Sequence, residues 1–225
     1  IKKGASLSIV DKNIYKNLKN KYKVENSLKV LTEYSKLIRK ISNLNVIAIT
    51  GSSGKTSLKD LMGQTLNKIS STNYSKNSFN NKFGVPLSLS NIKINNHHGV
   101  YEIGMNKFGE INRLSKLVMP DIGVITNISY AHIKNFKNLN QIALAKSEII
   151  NNINKKGTLV LNKDDKYYDL FKKKALLKNL KVISFSTKKI ADIRLSNLVK
   201  KKSEYIIYIK IYNKLKKFII KKKLK

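Results

Sequence analysis

The feature that most constrains the fold is an apolar run that leads directly into a loop rich in glycine and serine. Residues 46–50 form the run, a helical pattern covers residues 57–69, and the loop between them reads Gly51-Ser52-Ser53-Gly54-Lys55-Thr56-Ser57. A strand that ends in such a loop before a helix directs backbone N–H groups and the helix dipole towards one point, where a phosphate can bind. The sequence therefore predicts a nucleotide-binding domain.

The loop departs from the usual phosphate-loop pattern at one position. In G-x-x-x-x-G-K-[ST] the first glycine would stand where this chain has Ile49. The pattern still places Lys55 to reach the β- and γ-phosphates and the Thr56 hydroxyl to ligate Mg²⁺. The alternative is an ordinary turn with a solvated lysine, and the strand–loop–helix context favours nucleotide binding.

Short apolar runs alternate with helical patterns through the middle of the chain. The runs cover residues 46–50, 99–103, 122–126, 158–161 and 182–185, and the helical patterns cover 57–69, 110–118, 140–153 and 166–177. This alternation predicts an α/β fold, a mostly parallel sheet with helices on both faces. Residues 191–225 change to shorter runs that predict a small antiparallel extension, and residues 5–10 and 27–41 predict a strand and a helix ahead of the sheet.

Three side chains near the predicted sheet edge are candidates for chemistry. Glu102 closes one strand and His132 follows another, and ligands of open parallel sheets bind beyond the carboxyl ends of strands. Alternatively, Glu102 caps a turn and His132 is structural. Lys146 lies in an apolar helical stripe with Ile142 and Ile149, where a lysine must extend to the surface, pair with an acid or change its chemistry.

The composition leaves a second class of protein open. The chain has 46 Lys and Arg against 13 Asp and Glu, a formal net charge of +33, which favours anionic ligands and makes nucleic acid a rival partner. The lysines are spread along the whole chain and no aromatic-interleaved basic face accompanies them, so we expect no nucleic-acid binding. The chain has no cysteine for a disulfide or thiolate metal site, and no apolar run approaches the roughly 18–20 residues of a membrane helix.

Six segments resemble the Mur ligase family, in particular its branch of UDP-N-acetylmuramoyl-tripeptide–D-alanyl-D-alanine ligases. The phosphate loops of this family characteristically lack the first glycine, as here. The other similar segments are NSFNNKFGVPLSL (77–89), VYEIGMNKFGEI (100–111), PDIGVITNISYAHIKNF (120–136), IALAKSEII (142–150) and GTLVLNKDD (157–165). Their order and spacing over residues 45–190 make a chance resemblance very improbable.

The resemblance implies a role for each matching residue. The loop residues Gly51 to Ser57, with Asn127, would bind ATP, and Asn80 and Asn81 would bind the UDP-sugar peptide. Mg²⁺ would be held by Thr56, Glu102, His132 and Lys146, the last as a carbamate. The implied catalytic residues are Lys55, Glu102, His132 and Lys146.

The resemblance also implies the reaction and the domains. A UDP-MurNAc-tripeptide would be activated by ATP as an acyl phosphate and joined to D-alanyl-D-alanine, in a cytoplasmic, monomeric enzyme of peptidoglycan synthesis. Residues 1–44 would be the last portion of an N-terminal UDP-sugar-binding domain and residues 45–225 the central ATP-binding domain. The C-terminal domain would be absent, and the fragment alone inactive. The branch that adds the third amino acid and folylpolyglutamate synthases are rivals, disfavoured by Asn80, Asn81 and the segment 84–86.

Overall fold

The computed structural model describes residues 6–11, 20–130 and 135–221. The helices in these ranges are α1 Ser27–Ile41, α2 Lys55–Asn67, α3 Gly84–Ser90, α4 Glu110–Val118, α5 Leu139–Ser147, a 3₁₀ helix Glu148–Asn152 and α6 Tyr168–Leu177. The strands are β1 Ser8–Val10, β2 Lys21–Lys23, β3 Asn45–Thr50, β4 Thr72–Tyr74, β5 His98–Glu102, β6 Ile122–Ile125, β7 Thr158–Asn162, β8 Lys181–Ser186, β9 Ile193–Lys200, β10 Glu204–Ile211 and β11 Lys214–Lys221.

A nine-stranded sheet in the order β11-β10-β9-β8-β7-β6-β3-β5-β4 organises the described part of the chain. Neighbouring strands from β4 to β9 pair in parallel, whereas β10 pairs antiparallel with both β9 and β11. The predicted α/β fold with an antiparallel extension is therefore confirmed, and the extension continues the same sheet. Because β3 lies between β5 and β6, their carboxyl ends meet at one edge, where open sheets bind ligands.

The strand β3 is buried on both faces, which explains its uninterrupted apolar sequence. Val46 and Ala48 belong to a large core under α4, α5 and α6, whereas Ile47 and Ile49 belong to a second core under α2. All four side chains are at most 8% exposed. Helices therefore cover both faces, and the loop that follows β3 emerges at a rigid edge.

Several predicted elements differ from the structure at their boundaries, and three elements were not predicted. The helix expected over 140–153 is α5 followed by the 3₁₀ helix, and the helix expected over 57–69 already begins at Lys55. The missed elements are the three-residue strands β2 and β4, and α3, which carries Pro86 in its first turn, where proline removes no helical hydrogen bond.

The segment before β3 contributes a helix that packs on the sheet domain. The helix α1 contacts α3 and α4, and the buried Arg39 donates from Nε to the Val118 carbonyl at 2.7 Å and from Nη2 to the Met119 carbonyl at 2.8 Å. The strands β1 and β2 form a separate parallel pair. The domain boundary at residue 44 stays a prediction. No helix in the described ranges is long and apolar enough to cross a membrane.

Candidate functional site

At two positions the loop between β3 and α2 has a backbone conformation that residues with a side chain rarely adopt. Gly51 has φ +145°, and a Cβ there would lie 1.9 Å from Thr126 Oγ1. Gly54 has φ +78° and precedes α2, which has no side-chain cap at its N-terminus. The N–H groups and the positive dipole end of α2 are thus available to an anion at the sheet edge.

The segment after β6 holds this loop in place. Ser52 N–H donates to the Asn127 carbonyl at 2.9 Å, and Ser53 N–H donates to Asn127 Oδ1 at 3.1 Å. Thr126 Oγ1 donates to the Ser53 carbonyl at 2.7 Å. Asn127, which was predicted to contact the nucleotide, therefore holds the loop through hydrogen bonds to Ser52 and Ser53. Nucleotide contacts from Asn127, Ser52, Ser53 and Ser57 stay predictions.

Glu102 is the centre of a hydrogen-bonded cluster at the end of β5. Its carboxylate is 1% exposed and accepts from Thr56 Oγ1 at 2.7 Å and from Asn80 Nδ2 at 2.7 Å. Ser78 Oγ lies 3.3 Å from Thr56 Oγ1. The structure thus brings together a loop residue, a strand-end acid and an asparagine of the segment 77–89.

A cleft of about 430 Å³ opens over this cluster. Lys55, Thr56, Asn80, Asn81 and Glu102 all line it. Lys55 folds back towards the Ser52 carbonyl, 3.5 Å from Nζ. Asn81 Oδ1 accepts from the N–H groups of Phe83 and Gly84, both at 3.0 Å, so this side chain also caps the start of α3.

Lys146 lies directly beneath the phosphate loop. Its side chain is 1% exposed, among the buried Ile142 and Ile149, and its Nζ donates to the Gly51 carbonyl at 2.8 Å. Within the described ranges no carboxylate lies within 4 Å of this nitrogen. Burial, with the positive charge of Lys55 as a second cause, lowers the pKa of Lys146 to about 7. The lysine therefore neither reaches the surface nor pairs with a described acid, and its amine is readily neutral.

The donors at this edge suit a hard cation. Carboxylate, hydroxyl and amide oxygens from Glu102, Thr56 and Asn80 are the donor types that Mg²⁺ binds, with water completing its shell. Among the described residues no group of three or more His, Cys, Asp or Glu side chains is arranged around a common point. His132, the predicted imidazole ligand, lies outside the described residues, so its role stays a prediction.

Two residues that support the site were missed by the sequence analysis. Lys59 of α2 is 0% exposed and donates to the carbonyls of Ser75 and Asn77. Asp165 accepts from Ile128 N–H at 2.7 Å and so anchors the segment that braces the phosphate loop. Asp165 could have been found from the sequence, because the segment 157–165 ends in two consecutive aspartates. Nothing in the sequence distinguishes Lys59 from the many other lysines of the chain.

Comparisons with known proteins show the family to which the chain belongs. The family described as Mur ligase middle domain matches residues 49–224. The chain is 37% identical over 199 residues to a UDP-N-acetylmuramoyl-tripeptide–D-alanyl-D-alanine ligase of Buchnera aphidicola subsp. Baizongia pistaciae, covering 88% of this chain and 43% of that protein. It is 37% identical over 183 residues to the ligase of that name from Rickettsia prowazekii, covering 81% and 40%.

A solved structure shares the fold over nearly the whole chain. Crystal structure II of MurF from Acinetobacter baumannii superposes with a TM-score of 0.84 at 27% sequence identity, covering 97% of this chain and 47% of that one. The chain thus spans less than half the length of the relatives it matches here.

Proposed function

Because the chain belongs to the Mur ligase family through its middle domain, we propose that it is the ATP-binding part of an ADP-forming amide-bond ligase. The proposed reaction joins D-alanyl-D-alanine to a UDP-MurNAc-tripeptide in peptidoglycan synthesis. The relatives that carry this name support the choice of substrates. We further propose a cytoplasmic, monomeric protein without a nucleic-acid partner.

The hydrogen-bonded chain Thr56–Glu102–Asn80 is the observation that carries the proposal. It joins the phosphate loop, through one buried carboxylate, to the segment expected to bind the acceptor. An acyl-phosphate mechanism needs the γ-phosphate and the acceptor carboxylate side by side, because the first step is direct transfer between them. A cleft that is lined by all three residues supports such an arrangement.

In the first step a carboxylate oxygen of the acceptor attacks the γ-phosphorus of ATP, and the bond to the ADP oxygen breaks. Lys55 and the uncapped N–H groups of α2 bind the phosphate oxygens and stabilise the charge that shifts to ADP. In the second step the amine attacks the acyl carbon, loses a proton and expels phosphate. Asn80 and Asn81 would orient the acceptor for both steps.

A bound Mg²⁺ would supply positive charge that stabilises the negative charge of the phosphate transfer. Thr56, Glu102 and His132 would hold it, with Lys146 as a carbamate. A carbamate forms when a neutral amine adds to CO₂ and loses a proton, and its nitrogen keeps one N–H for the Gly51 carbonyl. The change replaces a cation near Lys55 with an anion, which removes the repulsion between the two lysines.

The proposal is tested in the full-length protein with Lys55→Ala. Loss of a phosphate-binding cation is expected to lower ATP-dependent phosphate release roughly 10²–10³-fold while the fold is kept. Lys68→Ala, at the exposed end of the same helix, is the matched control and should release phosphate normally. Near-normal phosphate release by Lys55→Ala would remove the phosphate-loop assignment.

A further inference from the structure

Lys59 is a fully buried cation that the proposed reaction does not use. It lies one turn into α2 after the phosphate loop, and its side chain is 0% exposed. Its Nζ donates to the Ser75 carbonyl at 2.8 Å and to the Asn77 carbonyl at 2.9 Å, and forms an ion pair with the half-exposed Asp60. Burying a lysine is costly, so three acceptors around one ammonium indicate a fixed position.

The two carbonyls belong to the segment that leads into the cleft. Asn77 has φ +47°, a left-handed conformation that asparagine adopts more readily than most residues with a side chain. The chain then turns directly to Ser78 and Asn80, which contact Thr56 and Glu102. The segment 75–77 therefore sets where Asn80 lies, and Lys59 holds both carbonyls of its turn.

We propose that Lys59 is a positioning residue that ties the acceptor-binding segment 75–81 to the phosphate-loop helix and thereby sets affinity for the acceptor. The inference rests on the proposed function, because it takes the cleft at Asn80 as the acceptor site. Lys59 contacts no substrate. It acts through the backbone of residues 75–77 on the place of Asn80 and Ser78.

The test uses steady-state kinetics of the full-length protein with Lys59→Met, which keeps the length of the side chain but donates no hydrogen bond. The expected result is an acceptor KM raised about 10–100-fold, as for a small displacement of a binding group, with the KM for ATP changed less than about threefold. Lys59→Arg, whose guanidinium retains donors for the two carbonyls, should restore much of the acceptor KM.

Two controls separate positioning from general stability. Asp60→Asn removes the ion pair but leaves both carbonyl contacts, so the acceptor KM should stay near that of the wild type. Leu66→Ala lowers the packing of α2 on the sheet but leaves Lys59 and its two carbonyl contacts in place, and should not raise the acceptor KM selectively. If Lys59→Met does not accumulate as folded protein, Lys59→Gln, whose side chain is uncharged and one bond shorter, replaces it in the same comparison.

Amide hydrogen exchange of residues 75–81 without substrates gives a second readout that needs no activity. Faster exchange there in Lys59→Met, but not in Asp60→Asn or Leu66→Ala, is expected. Equal changes of both KM values, or an equal rise of acceptor KM in Leu66→Ala, would overturn the inference. A wild-type protein that ligates nothing would contradict the proposed function instead, and the exchange result would still decide the role of Lys59.

Discussion

Lys146→Met tests whether the buried lysine beneath the phosphate loop is chemically used. Methionine fills nearly the same volume, so the change leaves little cavity. It leaves the Gly51 carbonyl without its partner, which costs about 1–3 kcal/mol of stability. If the lysine carries a metal-binding carbamate, phosphate release should fall roughly 10²–10³-fold, the usual effect of removing a group that stabilises transferring charge.

The expected effect of this change on stability is small because two contributions oppose each other. The pKa of Lys146 is lowered to about 7 in the fold, whereas an unfolded lysine titrates near 10.4. At pH 8 folding must therefore release a proton, which costs about 3 kcal/mol, and methionine removes this cost. Without CO₂, so that Lys146 is a free amine, the wild type should gain about 1.4 kcal/mol per pH unit relative to Lys146→Met between pH 7 and 10, since its unfolded state binds more protons there.

The assay measures phosphate release and unfolding of the wild type, of Lys146→Met and of a control variant, Lys174→Met. Lys174 is a matched lysine that donates a hydrogen bond to Ser147 outside the cleft. Millimolar acetate or formate should partly restore Lys146→Met by supplying a carboxylate, and removal of CO₂ should slow only proteins that keep Lys146. Full activity of Lys146→Met, with no effect of CO₂, would refute the carbamate.

Three further predictions concern single contacts. Gly51→Ala should lower the thermal midpoint of unfolding by several degrees and abolish nucleotide binding. An alanine backbone at φ +145° is strained by about 1–3 kcal/mol, and its Cβ would collide with Thr126. An unchanged thermal midpoint would contradict this geometry. Glu102→Gln should lower phosphate release about 10²-fold and raise the Mg²⁺ concentration needed, and an unchanged Mg²⁺ titration would exclude Glu102 as a ligand. Partial burial raises the pKa of Asp164, but hydrogen bonds from Ser186, Thr187 and Lys189 outweigh it and lower the pKa to about 2. The stability that the ionised Asp164 contributes is present above about pH 4 and lost as the pH falls towards 2. The free energy of unfolding of Asp164→Asn should therefore depend less steeply on pH over that range than that of the wild type.

The sequence was sufficient for those parts of the fold that depend on local pattern. The strand β3 could be predicted because burial on both faces requires an uninterrupted apolar run, and α1 and α4 because their apolar positions repeat with helical spacing. The apolar stripe around Lys146 left open whether its side chain extends to the surface, pairs with an acid or changes its chemistry, and the structure shows that it is buried.

Other features depend on contacts between distant segments and could not be predicted. The edge strand β4 has three residues and no apolar alternation, and α3 contains a glycine and a proline that are typical of a turn. The burial of Lys59 depends on the carbonyls of a turn 16 and 18 residues away, and a helical lysine ordinarily lies in solvent. The contacts of Asn127 with Ser52 and Ser53 depend on the pairing of β3 with β6, and its contact with the nucleotide stays a prediction.

The most direct test of the central claim is phosphate release by the full-length protein with ATP, Mg²⁺ and UDP-MurNAc-tripeptide across a set of amines. The account predicts release that requires the acceptor and is fastest with D-alanyl-D-alanine, together with a ligated product of matching mass. Preferential release with L-lysine, diaminopimelate or glutamate would place the protein in another branch of the family. Phosphate release that does not require an acid acceptor would contradict the assignment of the protein as an amide-bond ligase.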